Sequence, residues 1–232
     1  MTQYPCVPGH ELAGVVTAVG RKVKKVKVGD KVGVGCMVDS CGDCRYCEEG
    51  EEMFCPSHVQ TYAGDPVHGN CQTESGHTHG GYSAQHTVPE RSHHTTASTL
   101  ASAYCFVCRF IVKVPDGYPL EAAGPVFCAG ITMFTPLVKY GADKGGLRVG
   151  VVGIGGLGQM GVRLAKAMGN SVTAISTSPN KKAAAREIGA DNFVVSTNQD
   201  SLKNNASSLD LILNTVSADH DINTYLPLLV KT

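Results

Sequence analysis

Residues 148–169 read RVGVVGIGGLGQMGVRLAKAMG, and this stretch decides the fold. Residues 148–152 form a short apolar run of the kind a parallel sheet buries on both faces. GIGGLG follows at once, and residues 159–169 then read as an amphipathic helix. Gly153, Gly155 and Gly158 therefore make GxGxxG between a predicted strand and a predicted helix, the context in which this motif becomes informative. The glycines allow a tight turn and let the backbone, with Gly156 and Leu157, come close to a pyrophosphate. The helix N-terminus adds free N–H groups and a favourable dipole. The bland alternative is a glycine turn that binds nothing; the strand–turn–helix setting weighs against it.

Downstream, SVTAIS (171–176), DNFVV (191–195) and LDLILNTV (209–216) read as strands, with PNKKAAAREIG (179–189) as a helix. Strands alternating with helices predict a parallel, doubly wound sheet. The end of the second strand separates the nicotinamide cofactors. An NAD site usually places an acid there for the ribose 2′-hydroxyl. Here the text is ISTSPNKK (175–182), without an acid. Ser176, Thr177 and Lys181 offer hydroxyls and a positive charge that suit a 2′-phosphate, so NADP(H) is expected; the alternative is a surface loop with an incidental lysine.

Upstream, residues 119–140 are helical in pattern, with Gly141 placed to end them. Residues 15–38 alternate apolar and polar side chains between glycines, which predicts short strands and a compact β-barrel. Residues 62–82 are polar and glycine-rich, so His68, His77, His79 and Cys71 are expected on a solvated loop rather than in a metal site. Residues 92–109 (SHHTTASTLASAYCFVCR) split flanks that would join as one strand entering a turn. They are expected to be an atypical insertion, and Cys105 and Cys108 make a lone CxxC of little weight.

Between these regions lies CGDCRYCEEGEEMFC (41–55), whose four cysteines are separated by two, two and seven residues. Thiolates are good zinc ligands, and four of them complete a tetrahedral shell with no position left for substrate. Cys41, Cys44, Cys47 and Cys55 are therefore expected to hold a structural zinc, against the alternative of free thiols. Any catalytic centre must lie elsewhere.

The chain has 232 residues, 42% of them hydrophobic, with 20 basic and 20 acidic residues and ten cysteines. The balanced charge argues against nucleic acid or an anionic membrane as partner. No apolar run approaches the ~20 residues of a membrane span. MTQYPCVPGHE (1–11) lacks the basic start and apolar core of a secretory signal. Clustered cysteines without such a signal point to a reducing, cytoplasmic setting.

Four stretches taken together resemble the zinc-dependent medium-chain alcohol dehydrogenases, in their cinnamyl alcohol dehydrogenase-like branch. They are PGHELAGVVTAVG (8–20), the 41–55 lobe, AAGPVFCAGITMFTPL (122–137) and the glycine-loop segment, in the family's order. The resemblance implies a GroES-like β-barrel catalytic domain at 1–135, then a Rossmann domain at 136–232. It implies that His10 and Cys128 are ligands of a catalytic zinc, with Glu11 the neighbouring acid. Residue chemistry alone leaves His10 an ordinary histidine and Cys128 a buried apolar thiol. The implied reaction is reversible hydride transfer between a small-molecule alcohol or aldehyde and the nicotinamide, in the cleft between the two domains. A homodimer is the family's assembly.

The sequence departs from that family in two places. The family's remaining catalytic cysteine precedes the GHE segment, whereas His10 stands nine residues after the first residue, and Cys6 lacks the family's context. The nucleotide sheet would carry two further strands beyond Thr232, including the edge through which the family commonly dimerises. An incomplete Rossmann domain is therefore expected, and the alternative reading is a catalytically inactive fragment that keeps the structural zinc and partial nucleotide binding. Zinc-free quinone reductases share the implied fold, but the cysteine lobe and the His10–Cys128 pair argue against them.

Overall fold

The computed structural model describes residues 4–21, 23–65, 76–88 and 110–231. The expected insertion at 92–109, with Cys105 and Cys108, lies outside the described residues, as do His68 and Cys71. The chain divides into two compact units, Met1–Cys128 and Ala129–Thr232, where the sequence reading divides it after residue 135. The earlier division has a packing reason. A helix spans Ala129–Lys139, and its Met133 and Leu137 are buried in the same apolar cluster as Val151 and Val162 of the second unit.

The first unit is built from short strands. β1 (Leu12–Val15) pairs antiparallel with β2 (Lys31–Val34), which also pairs with the later strand at Val112–Lys113. β3 (Met37–Asp39) leads into α1 (Arg45–Glu48), and then pairs antiparallel with β4 (Val59–Gln60). The strand at Val112–Lys113 is β5. Alternation along these strands sends Val34, Val38 and Val59 inward, with Leu12, Val88 and Ile111 packed against them. His77 and Thr78 differ from the solvated loop expected of them. Both are buried: a His77 ring nitrogen lies 2.9 Å from the Pro5 carbonyl oxygen, and the Thr78 hydroxyl donates to the Gln60 carbonyl at 2.8 Å.

The second unit follows the strand–helix alternation of its sequence. After α2 (Ala129–Lys139) come β6 (Arg148–Val152), α3 (Gly156–Ala167), β7 (Ser171–Ser176), α4 (Lys182–Glu187), β8 (Asn192–Val195), α5 (Gln199–Lys203) and β9 (Leu211–Asn214). The sheet is parallel throughout, in the order β8-β7-β6-β9. The first strand thus sits between the second and the fourth, the reversal that opens a crevice at the strand ends in doubly wound folds. Both faces are apolar. Val149, Val151, Val172 and Ala174 point to the cluster holding α2 and α3, whereas Val152, Ile175 and Val194 point to Leu209, Tyr225 and Leu228. Truncating Leu137, which is fully buried, would cost about 2–5 kcal/mol. Among the described residues no helix is long and apolar enough to cross a membrane.

Candidate metal centres and nucleotide loop

β3 delivers the chain to Ser40 and Cys41; Cys44 precedes α1, Cys47 lies within it, and Cys55 follows a 3₁₀ turn at Glu52–Phe54. The four sulfurs lie within 4.8 Å of one another. Separations of 3.4 Å for Cys41–Cys55, 3.6 Å for Cys44–Cys47 and 3.9 Å for Cys41–Cys47 bracket the sulfur–sulfur edge of a tetrahedral zinc site. That edge is about 3.8 Å for Zn–S bonds of about 2.3 Å. The backbone prepares the site too: the Gly42 N–H donates to Cys47 Sγ at 3.3 Å, and the Cys47 thiol donates to Ser40 Oγ at 3.4 Å. The backbone N–H of Cys47 brings the Cys44 thiol down to about 7, while burial raises Cys41 and Cys47. Four such sulfurs cannot all ionise side by side without a cation to offset their charge. The residues fit zinc, in a shell that protein sulfur closes.

His10, Cys36 and Cys128 form a second cluster, their donor atoms all within 4.8 Å of one another. His10 immediately precedes Glu11 and β1, and its ring stacks on Tyr62 with centroids 5.9 Å apart. Cys36 lies in the two-residue link between β2 and β3, and Cys128 follows a 3₁₀ segment at Gly124–Phe127. Three residues without a Cβ let these segments meet. A Cβ on Gly33 would overlap the Phe127 ring, one on Gly35 the Phe127 carbonyl oxygen, and one on Gly124 would come within 2.7 Å of the Glu11 carbonyl oxygen. The result is a Cys36–Cys128 Sγ–Sγ distance of 3.3 Å. Burial pushes the Cys128 thiol up to about 12, with Cys36 and the Glu11 carboxylate adding to the effect. Glu11 therefore lies close enough to act on the cluster, although it stands outside the trio. Two thiols and an imidazole fit a zinc ion that keeps an open position. Cys36 has no motif around it in the sequence; only its place beside the glycines of GVGC (33–36) marks it.

In the second unit, Gly153 ends β6 with φ +88°, a conformation that favours glycine. Gly158 is buried, and its missing Cβ lets α3 begin against the Gly153 carbonyl. Gly155 and Gly156 are exposed, with nothing within 4 Å of where a Cβ would sit. That open space beside the N-terminus of a twelve-residue helix is what a pyrophosphate needs, so the loop fits a dinucleotide. Leu157 packs onto the cluster beneath. Ser176 is buried, and its hydroxyl accepts from the Ser178 N–H at 3.2 Å, whereas Thr177 is exposed. Lys181 Nζ reaches back to the Ile154 carbonyl at 3.3 Å, which brings its charge to the glycine loop. Thr215, not singled out by sequence, holds the loop from the end of β9: its hydroxyl lies 2.8 Å from the Val152 carbonyl and 3.1 Å from that of Gly153. Its signal is its place at the end of LDLILNTV, the fourth strand.

The two units are thus a β domain with two donor clusters that fit a metal and a Rossmann-type nucleotide domain. Residues 1–98 match the alcohol dehydrogenase GroES-like domain, and residues 156–232 match the zinc-binding dehydrogenase domain. Over 230 residues the chain is 47% identical to cinnamyl alcohol dehydrogenase 8 of Arabidopsis thaliana, covering 99% of this chain and 56% of that protein. A cinnamyl alcohol dehydrogenase structure from Sorghum bicolor shares 42% identity at a TM-score of 0.81, covering 98% of this chain and 58% of that one. The structure of CAD from Helicobacter pylori complexed with NADP(H) shares 36% identity at a TM-score of 0.81, covering 99% and 58%. The chain belongs to the zinc-dependent medium-chain alcohol dehydrogenase family, in its cinnamyl alcohol dehydrogenase-like branch. It spans a little over half the length of the relatives it matches.

Proposed function

We propose that the chain serves an NADP-linked, zinc-dependent alcohol dehydrogenase that interconverts a small-molecule alcohol and its aldehyde by reversible hydride transfer. The observation that carries this reading is the presence of two separate donor sets, one of four sulfurs and one containing His10 and Cys128. The Cys41, Cys44, Cys47 and Cys55 set would hold its lobe together. His10 and Cys128, with Glu11 beside them, would hold a catalytic zinc, which when bound supplies a Lewis acid for the alcohol or aldehyde oxygen.

Gly153, Gly155, Gly156, Leu157 and Gly158 form the turn that would receive the pyrophosphate of the dinucleotide. Ser176, Thr177 and Lys181, at and after the end of β7, would recognise a 2′-phosphate, and the CAD complexed with NADP(H) supports the same cofactor class. The relatives' names favour this reading over a catalytically inactive fragment. A cytoplasmic location suits thiols that must remain reduced to bind metal.

The test is direct. Isothermal titration should show NADPH binding in preference to NADH, and zinc-loaded protein should oxidise NADPH in the presence of an aromatic or aliphatic aldehyde. Loss of aldehyde-dependent oxidation is expected in His10→Ala. Tighter binding of NADH than NADPH would overturn the cofactor assignment.

A further inference from the structure

We infer that His220 is a positioning residue for the nicotinamide half of the cofactor: with Asn214 it clasps the segment after β9 that walls the nucleotide crevice opposite the glycine loop. The inference rests on the NADP-linked reading above and deepens it.

The strand order places the crevice. The order β8-β7-β6-β9 reverses between β6 and β9, and in doubly wound folds a dinucleotide lies across the strand ends at that reversal. Asn214, the last residue of β9, pairs in register with Val152, the last residue of β6. The glycine loop leaves from one strand end and residues 215–220 leave from the other. Lys181, after β7, takes the adenine end of the cofactor on the proposed reading. The half beyond the pyrophosphate then extends the other way, toward β9. Residues 215–220 also touch the loop: the Thr215 hydroxyl lies 3.1 Å from the Gly153 carbonyl, and a Cβ on Gly153 would stand 3.1 Å from a Val216 methyl.

Side chains close this segment. The Val216 N–H donates to Asn214 Oδ1 at 3.2 Å, which leaves the Asn214 amide nitrogen to face His220 Nε2 at 2.8 Å. Across the ring, His220 Nδ1 lies 2.7 Å from the Ala218 carbonyl oxygen, which can only accept. Nδ1 therefore carries the proton, and Nε2 accepts from Asn214. A single tautomer satisfies the three bonds. The ring also stands 6.0 Å, centroid to centroid, from that of the buried Tyr225, whose apolar cluster packs Val152 and Val216. The imidazole thus ties the far end of the segment both to the end of β9 and to the core. A histidine present only for solubility would need no acceptor nitrogen matched to Asn214.

The test compares two ligands of the full 232-residue chain by isothermal titration: NADPH, and adenosine 2′,5′-bisphosphate, which lacks the nicotinamide half. His220→Ala should weaken NADPH roughly three- to tenfold, the worth of one neutral hydrogen bond, and leave the bisphosphate unchanged. Asn214→Ala should do the same, and the double variant should bind no more weakly than either single one. The unsubstituted chain gives a check that needs no variant. Nitrogen-15 spectra of the neutral His220 ring should show hydrogen on Nδ1 and none on Nε2.

Equal losses for both ligands would mean a general loosening of the unit and would overturn the assignment. So would additive losses in the double variant, or a ring with its hydrogen on Nε2. If the unsubstituted chain binds both ligands and His220→Ala keeps its full NADPH affinity, the clasp fails and the NADP reading stands. The clasp also fails if NADPH binds no more tightly than the bisphosphate. If the unsubstituted chain binds neither, both fail.

Discussion

A Cβ on Gly158 would overlap the carbonyl oxygen of Gly153, whereas one on Gly155 would meet no atom within 4 Å. The two glycines of one motif therefore do different work. Gly158 lets α3 begin against the loop, and Gly155 leaves space above it. Gly158→Ala should destabilise the nucleotide unit by about 1–3 kcal/mol through overpacking. Gly155→Ala should change stability by no more than about 0.5 kcal/mol but weaken dinucleotide binding at least tenfold. Urea denaturation paired with NADPH titration separates the two effects.

Lys181 should discriminate between cofactors. Its ammonium group reaches the glycine loop through the Ile154 carbonyl, and no acid follows β7 to receive a ribose 2′-hydroxyl. Lys181→Ala should weaken NADPH binding on the order of 10-fold, the effect of one charged contact, and leave NADH nearly unchanged. Equal losses for both cofactors would remove Lys181 from the phosphate site.

Cys44→Ser should release the lobe zinc while the second site keeps its ion. Elemental analysis should fall by one zinc per chain, and the cobalt spectrum should lose the lobe's share of thiolate absorption. Full zinc retention by Cys44→Ser would contradict the four-sulfur assignment.

Acid should weaken the nucleotide unit at a defined place. Arg148, at the start of β6, makes a two-pronged contact with Asp210 just before β9, at 2.6 and 3.0 Å. The Arg148 guanidinium, aided by the Arg148 backbone N–H, holds the Asp210 carboxyl below the usual carboxylate range. A carboxyl depressed in the folded state stabilises above its unfolded value, near 3.9, and loses that contribution as pH falls through the folded value. The difference in urea midpoint between the parent chain and Asp210→Asn should therefore be largest near neutral pH and shrink steadily below about pH 4. A difference independent of pH would show that the pair acts through packing rather than charge.

The legible parts of this fold are those written in local sequence. The run 148–152, the glycines after it and the helix that follows need no distant partner to be read, and their strand and helix appear where expected. The sulfur lobe is similarly local, because spacings of two, two and seven residues bring its thiols together. Cys36 was hidden for the opposite reason. Its neighbour Cys128 is 92 residues away, and the approach depends on glycines whose missing Cβ atoms matter only once the segments are packed. The helix Ala129–Lys139 reads equally well as belonging to either unit until Met133 and Leu137 are seen beside Val151 and Val162. His77 misled in the other direction, since a polar, glycine-rich neighbourhood gives no hint that the Pro5 carbonyl awaits its ring.

The helix α1 is four residues long, far below the length at which a helix holds itself together in water. Its order must come from its surroundings, and a zinc bound by Cys44 and Cys47 would add to them. Were zinc held there, the stability of the lobe would follow how much free zinc the cell provides. Protease added to metal-stripped protein should cut first between Cys41 and Cys55, and restoring zinc should close that window while the parallel sheet resists throughout.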